Sequence, residues 1–498
     1  MTTNGLSDLY GSSLALLTDL YQLTMAYGYW KAGVAERDAV FHLTFRRPPF
    51  GGGYAIAAGI EPALEYLEHL RFADDDVAYL ATITGGDGRA LFDAGFLAYL
   101  RELRFTCRVD AVAEGSVVFA HEPLIRVQGP VLQAQIVETA LLNLVNFQTL
   151  VATKAARVCQ AARGMAVLEF GLRRAQGPDG SIAAARAAHI GGCAATSNVL
   201  AGKLLGVPVK GTHAHSWVMF HDDELAAFRA YARAMPNNCV LLVDTYDTLD
   251  GVRHAIEIGR ELRATGHELA GVRLDSGDLA HLSIEARRLL DDAGFPDAKV
   301  VASNDLDEGL IISLIDQGAR IDTWGVGTKL VTAYDQPALG GVYKLGAVRG
   351  ADGAWDHKLK LSEQPIKISN PGVLQVRRLR KGDELIADVI HDDDTPPGPG
   401  DVTLWDLEDP TRAVTIAAAE YDRADDLLAR RLDGGARTAP PVTLAEARAR
   451  AAADLAGLSP RTRRFLNPQP HRVGLDPHVH DIKRRLIAEA RAGHGGRS

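Results

Sequence analysis

The sequence predicts an α/β fold: an irregular β/α barrel core, with an α+β sandwich-like domain built from N-terminal and later strand-rich segments. Three observations predict it. From Met165 onward, apolar runs of about six residues (MAVLEF, PVKGT, VLLVDT, GVRLD, VVASN, TWGVG) alternate with helical stretches, and runs that are hydrophobic throughout signal parallel strands covered by helices. Each run is followed by a polar cluster: EFGLRR, GTHAHS, VDTYDT, RLDSGDL, SNDL, GVGTK. A doubly wound sheet fits the alternation equally well. The six clusters favour the barrel, whose strand C-termini converge on one face. On either side of this region, before about residue 150 and after about Ala347, the pattern changes to short strands and isolated helices.

In chain order, LALLTDLYQLTMAYGYWKAG (14–33) has apolar residues at helical spacing, with Thr18 and Asp19 near its start and Gly33 as its stop. VFHLTFRRPPFGGGYAI reads as a strand, a Pro- and Gly-rich turn and a second apolar run; EPALEYLEHL then reads as a helix. Short strands are expected through VDAVAEGSVVFAHEPLIRVQG, then a long helical pattern from Gln133 to Arg163 broken near Asn146. Beyond the core, DHKLKLSEQPIKISNPGVLQVRRL and DELIADVIHD form a strand-rich module with HDDDTPPGPGD as its surface loop. LAEARARAAADLAGL and DPHVHDIKRRLIAEARAG read as exposed helices. The expected divisions are 1–150, an N-terminal α+β domain; 151–347, the catalytic barrel; 348–438, a strand-rich segment packing on the N-terminal domain; and 439–498, a helical C-terminal segment.

At 498 residues the chain is too long for one ordinary core. With 47% hydrophobic and 23% charged residues, and a mean hydropathy of −0.04, it has the composition of a soluble globular protein. MTTNGLSDLYGSSLALL lacks a secretory start and no apolar run nears a membrane span, so a cytoplasmic protein with no membrane partner is expected. Cys107, Cys159, Cys193 and Cys239 show no CxxC spacing and are expected to be reduced packing residues. A formal charge of −9 argues against a general nucleic-acid binder but leaves room for a local basic pocket.

Each motif has a functional and a structural reading. In GVGTK, Gly325 and Gly327 let backbone N–H groups approach a phosphate closely, although a Gly-rich turn after a strand is also plainly structural. In GVRLDSGDLAHL, Ser276 or Asp278 suits a helix N-cap. Capping leaves Arg273 and Asp275 over, and acids there suit ribose hydroxyls or a hydrated Mg²⁺. Asp244 and Asp247 add acids at an equivalent strand end. Arg173 and Arg174 follow Phe170 and precede a glycine-rich loop, a place for bidentate binding of an anion; Arg46 and Arg47 form a second such pair. In GTHAHSWV, an extended backbone would turn His213 and His215 to the same side. Zinc ligation, a structural role and nucleophilic catalysis all remain open for the pair.

Taken together, LTDLYQLTMAYGYW, FRRPPFGGGYAIAAG, EFGLRRAQGPDG, GTHAHSWV, VDTYDT, RLDSGDL, SNDLDE, GVGTKLVT and RRFLNPQPHRVGLDP resemble, in order, the blocks of the nicotinate phosphoribosyltransferases of the bacterial, type II phosphoribosyltransferase group. The resemblance implies an enzyme that joins nicotinate to phosphoribosyl pyrophosphate (PRPP), releases pyrophosphate and nicotinate mononucleotide in NAD salvage, and couples this to ATP hydrolysis through a phosphohistidine. It implies Mg²⁺ as cofactor, ATP as co-substrate, and a homodimer with a shared site. By position, His215 is the phosphorylated histidine. Tyr21, reaching from the other subunit, and Phe170 would sandwich the pyridine ring. Arg173, Arg273 and Asp275 would bind ribose and phosphates, with Arg273 also near the substrate carboxylate. Ser197, Ser216, Asp247, Asn304, Gly325, Gly327 and Thr328 complete the implied substrate contacts, and Asp275 and Asp278 the implied metal contacts.

Ser197 stands where the nicotinamide-specific relative carries an aspartate, which would repel a carboxylate; this favours nicotinate over the nicotinamide alternative. A non-phosphoribosyl barrel enzyme such as an aldolase would need a strand-end lysine, for which Lys210 and Lys329 are available.

Overall fold

A computed structural model of the chain describes residues 14–495; the expectation drawn from the first residues falls largely on 1–13, outside the described ones. The chain divides into two compact units, Val151–Pro337 and the combination of Met1–Leu150 with Ala338–Ser498.

In the Val151–Pro337 unit, six strands are named here β1 (Ala166–Glu169), β2 (Ala195–Thr196), β3 (Val240–Leu242), β4 (Gly271–Leu274), β5 (Lys299–Ser303) and β6 (Thr323–Val326). They form one sheet in the order β2-β1-β6-β5-β4-β3, and every neighbouring pair is parallel. Helices follow the strands, among them Gly177–Ile190, Thr248–Ala264, Leu279–Asp292 and Glu308–Asp316. Val272, Leu274, Val300, Ala302, Trp324 and Val326 are fully buried, as expected for strands covered on both faces. Hydrogen bonding does not close the sheet into a barrel: β2 and β3 are its two edges.

PVKGT, expected as a strand, is reduced to an isolated bridge between Val209 and Thr196. Pro208 has no N–H to donate, and the ladder stops after Thr196 N bonds the Pro208 carbonyl and Lys210 N bonds the Thr196 carbonyl. The strand that sequence reading missed is β2, two residues long within an alanine-rich stretch. The expected break near Asn146 also moves: helices Val131–Ile136 and Glu138–Ala161 are interrupted at Val137, and Asn146 lies inside the second. Buried Val145, Leu150 and Val151 on that helix outweigh the weak helix propensity of one asparagine.

In the other unit, the seven-stranded sheet runs Trp355–His357, Gly341–Arg349, Asp38–Phe45, Ile125–Pro130, Arg108–Ala111, Ala429–Asp433, Ala436–Arg437, antiparallel throughout. A six-stranded mixed sheet contains Leu374–Lys381 and Glu384–Asp392, the latter parallel to Val473–Leu475. Its strands enclose a core of Leu379, Ala387, Val389, Val402, Leu404 and Ile416. Helix Leu20–Lys31 begins at Asp19, later than the apolar pattern suggests, through a capping box with Gln22. Helix Leu444–Gly457, expected to be exposed, buries Ala447, Ala451 and Asp454. The Asp454 carboxylate accepts from Val117 N and is ion-paired to Arg380.

Among the described residues, no helix is long and apolar enough to cross a membrane. Cys107, Cys159 and Cys239 are free thiols, and burial pushes the Cys239 thiol up to about 11, far from the thiolate form that reacts.

Candidate active site

The parallel register decides what meets at the C-terminal edge of the sheet. Val326 pairs with Glu169, Gly325 with Ser303 and Leu274 with Ala302, so the residues just beyond these strands emerge side by side. They line a cleft of about 200 Å³ formed by Phe170, Arg173, Arg174, Arg273, Asp275, Ser303, Asn304, Asp305, Gly325, Gly327 and Thr328. Three arginines against two aspartates leave the cleft electropositive in a chain that is acidic overall, which suits an anionic ligand.

Arg273, on β4, is the hub. Its Nε donates to Ser303 Oγ at 2.8 Å, its Nη1 to Thr212 Oγ1 at 3.0 Å and its Nη2 to Asp275 Oδ1 at 2.8 Å. Its guanidinium carbon lies 5.6 Å from the centre of the Phe170 ring. Ser303 also donates to Asp275 Oδ1. Burial pushes the Asp275 carboxyl up, but the Ser303 bond and the Arg273 charge outweigh it and hold the group below the ordinary aspartate value.

His215 is the first residue of helix His215–Phe220. Its Nδ1 lies 3.1 Å from Thr245 Oγ1, and its Nε2 is 3.8 Å from Asp275 Oδ2 and 4.0 Å from Asp244 Oδ1. Asp244 Oδ2 accepts from Asp275 N and Ser276 Oγ, both at 2.7 Å, while its buried Oδ1 has no hydrogen-bond partner. His213 does not share this face. Its Nε2 accepts from Leu242 N at 3.1 Å and its Nδ1 meets the Ala214 carbonyl at 3.3 Å. The backbone is extended at Ala214 but enters the helix at His215, so the two imidazoles part. Among the described residues, no group of three or more His, Cys, Asp or Glu is placed to hold a metal, which removes the zinc reading of the pair.

The turn that carries Phe170 is held by hydrogen bonds and packed closely against the strand beside it. Buried Glu169 accepts from Thr196 Oγ1 at 2.5 Å and from Gly171 N, tying the turn after β1 to β2. A Cβ at Gly325 would stand 2.8 Å from the Phe170 ring, closer than side chains pack, and one at Gly327 3.1 Å from the Phe170 carbonyl oxygen, a tight contact. Beside them Asn304 has φ of 116° and Asp305 of 40°, a left-handed bend of the kind concentrated at ligand sites.

Other sequence-predicted residues lie apart from the cleft lining. Asp247 and Asp278 cap helices, accepting from Asp250 N and His281 N. Ser197 follows β2 with its N–H on the Glu169 carbonyl, and Ser216 is exposed on the short helix. Tyr21 belongs to the other unit, half-exposed on helix Leu20–Lys31. Lys329 is ion-paired to Asp307 at 2.5 Å, which holds its ammonium above the ordinary lysine value; that is the opposite of what imine chemistry needs. Lys210 is exposed. Sequence reading missed Ser303, Asp305, Thr212 and Thr245; the available signal was that each is a polar residue at or just beyond an apolar run.

Three family models match: the nicotinate phosphoribosyltransferase (NAPRTase) N-terminal domain over residues 16–146, the NAPRTase family over 165–354 and the C-terminal domain over 375–483. The nicotinate phosphoribosyltransferase of Bacillus subtilis is 52% identical over 74% of this chain and 73% of its own length. The human protein of that name is 36% identical over 95% of this chain and 96% of its own. The crystal structure of human nicotinic acid phosphoribosyltransferase superposes with a TM-score of 0.83 at 34% identity, covering 94% of this chain and 99% of that one. A nicotinate-nucleotide pyrophosphorylase from Pyrococcus furiosus shares the fold, with a TM-score of 0.68 at 19% identity.

Proposed function

The chain belongs to the nicotinate phosphoribosyltransferase family, and from that premise we propose how the cleft carries out the reaction. The reaction transfers the phosphoribosyl group of PRPP to nicotinate, in NAD salvage. The pyridine nitrogen attacks ribose C1 with its own lone pair, the bond from C1 to the pyrophosphate oxygen breaks, and pyrophosphate leaves with the electron pair. No general base is needed. Charge develops as oxocarbenium character on the sugar and as negative charge on the leaving group, so preorganised cations near the latter are the useful groups.

The observation that carries this reading is the Arg273 hub: one guanidinium under the Phe170 ring, tied to Ser303, Thr212 and Asp275. Phe170 would stack on the pyridine ring, with Tyr21 of a second copy of the chain on its other face in a homodimer. Arg273 would face the nicotinate carboxylate and the ribose, with Ser197 as a neutral partner. Arg173, Asn304, Gly325, Gly327 and Thr328 would hold phosphate oxygens, with Ser216 and Asp247 further contacts to ribose or pyrophosphate.

ATP would phosphorylate His215. With Nδ1 directed at Thr245, Nε2 is the nitrogen left to form the N–P bond as the bond from the γ-phosphorus to ADP breaks, and water later releases phosphate. Mg²⁺ fits the acids here: it is usually held by one or two carboxylates plus substrate phosphates, and Asp244 Oδ1, which accepts no hydrogen bond, and Asp275 both face His215 Nε2. Those two residues would hold it; Asp278, with one oxygen engaged in a helix cap, is the weaker donor. When bound, the ion would neutralise charge on the pyrophosphate. Incubation with PRPP, Mg²⁺, ATP and either nicotinate or nicotinamide tests the reading. Nicotinate mononucleotide and pyrophosphate are expected; nicotinamide mononucleotide as the main product would refute it.

A further inference from the structure

We propose that His213 is a positioning residue: its imidazole stands in for a missing strand at the open edge of the sheet and thereby fixes the loop that delivers His215. The positioning half of this proposal rests on the reading of His215 as the phosphoryl carrier.

β3 is an edge strand, paired only with β4. Along a parallel strand, consecutive N–H groups point to opposite sides. Val243 N donates to the Arg273 carbonyl on β4, so Leu242 N points outward, where a further strand would accept it. Leu242 is buried, and its N–H donates to His213 Nε2 at 3.1 Å. Accepting at Nε2 requires the proton on Nδ1, which the Ala214 carbonyl faces at 3.3 Å. The imidazole is therefore neutral and of one tautomer. Burial favours the same state by holding its pKa down, and the neighbouring Arg273 and His215 act in the same direction.

The ring is also wedged. Tyr231 meets it edge-on with centroids 4.8 Å apart, and Phe228 lies at 6.0 Å, both on helix Glu224–Ala234. On the far side of His215, Trp217 donates to the Ala227 carbonyl of that same helix at 3.0 Å. His215 is thus suspended between two anchored residues, His213 toward the sheet and Trp217 toward the helix. Nε2 of His213 is consumed as an acceptor, which also separates the two histidines chemically: only His215 has a ring nitrogen facing the carboxylates.

The test compares wild type with His213→Leu, which lacks the acceptor, and His213→Gln, whose side-chain oxygen can replace Nε2. Hydrogen–deuterium exchange at the Leu242 amide should quicken at least tenfold in His213→Leu, phosphoenzyme should form at least tenfold more slowly, and His213→Gln should restore both. Should the leucine variant fold poorly, the ¹⁵N shifts of wild-type His213 decide: protonated Nδ1 and bare Nε2 from pH 6 to 8 are expected, and a protonated Nε2 overturns the seam. Unchanged Leu242 exchange in a folded His213→Leu also overturns the seam. A wild-type enzyme that forms no phosphoenzyme instead removes the carrier reading of His215, and with it the positioning role alone.

Discussion

His215 faces Asp275, with Nε2 of the imidazole 3.8 Å from one carboxylate oxygen while the other is held by Arg273 and Ser303. One carboxylate therefore joins the proposed phosphoryl carrier to the arginine proposed to hold the substrate.

Removing that charge should affect chemistry more than folding. Asp275→Asn is expected to lower kcat about 10²-fold or more, with a small change in Tm, as read by steady-state pyrophosphate release and thermal unfolding. The pH dependence has a definite direction. The folded state holds this carboxyl below its ordinary value, so the stability it contributes is complete above about pH 3.9 and is lost as the pH falls further through the folded-state value. An acid limb of activity between pH 5 and 7 that vanishes in Asp275→Asn would contradict this.

Thr245 orients the imidazole through Nδ1. Thr245→Val keeps the shape and removes the partner, so phosphoenzyme formation should slow by about fivefold, as for loss of one hydrogen bond worth about 1 kcal/mol, while the KM for nicotinate stays constant. A rise in that KM with unchanged phosphorylation would show that Thr245 serves the base instead.

Gly325→Ala places a methyl group 2.8 Å from the Phe170 ring. Overpacking of this kind costs about 1–3 kcal/mol, and the displaced ring should raise the KM for nicotinate by about tenfold or more. An unchanged KM in titrations of nicotinate would mean that Phe170 does not contact the base.

The proposed sharing of one site between two subunits predicts complementation. Tyr21→Ala and Arg173→Ala subunits, each inactive alone, should recover up to about a quarter of wild-type activity after exchange, if half of a random mixture is hybrid and each hybrid dimer regains one intact site. Confirmed hybrids without activity would show that the two residues serve the same site from one chain.

Much of the site was legible because parallel strands announce themselves: apolar runs bounded by polar residues located β1, β3, β4, β5 and β6, and with them Phe170, Arg273, Asp275, Asn304 and Gly325. β2 was invisible, since Ala195–Thr196 is too short to show a period and the stronger apolar run lay a dozen residues on, around Pro208. Asp247 and Asp278 illustrate a different limit. An aspartate at a strand-to-helix turn is equally suited to capping and to ligand binding, and only the Asp250 and His281 N–H groups beneath them show that capping engages one oxygen of each. Spacing made His213 and His215 equivalent. What divides them is a long-range partner, Leu242 N, that no local pattern encodes.

The central claim is that His215 carries a phosphoryl group. The direct measurement is phosphoenzyme formation from ATP labelled at the γ-phosphate, with the modified residue located by mass spectrometry under conditions that preserve phosphohistidine. Label on His215, absent from His215→Ala, which retains slow ATP-independent transfer, is the predicted result. Label retained in His215→Ala, or found on His213, would contradict the account.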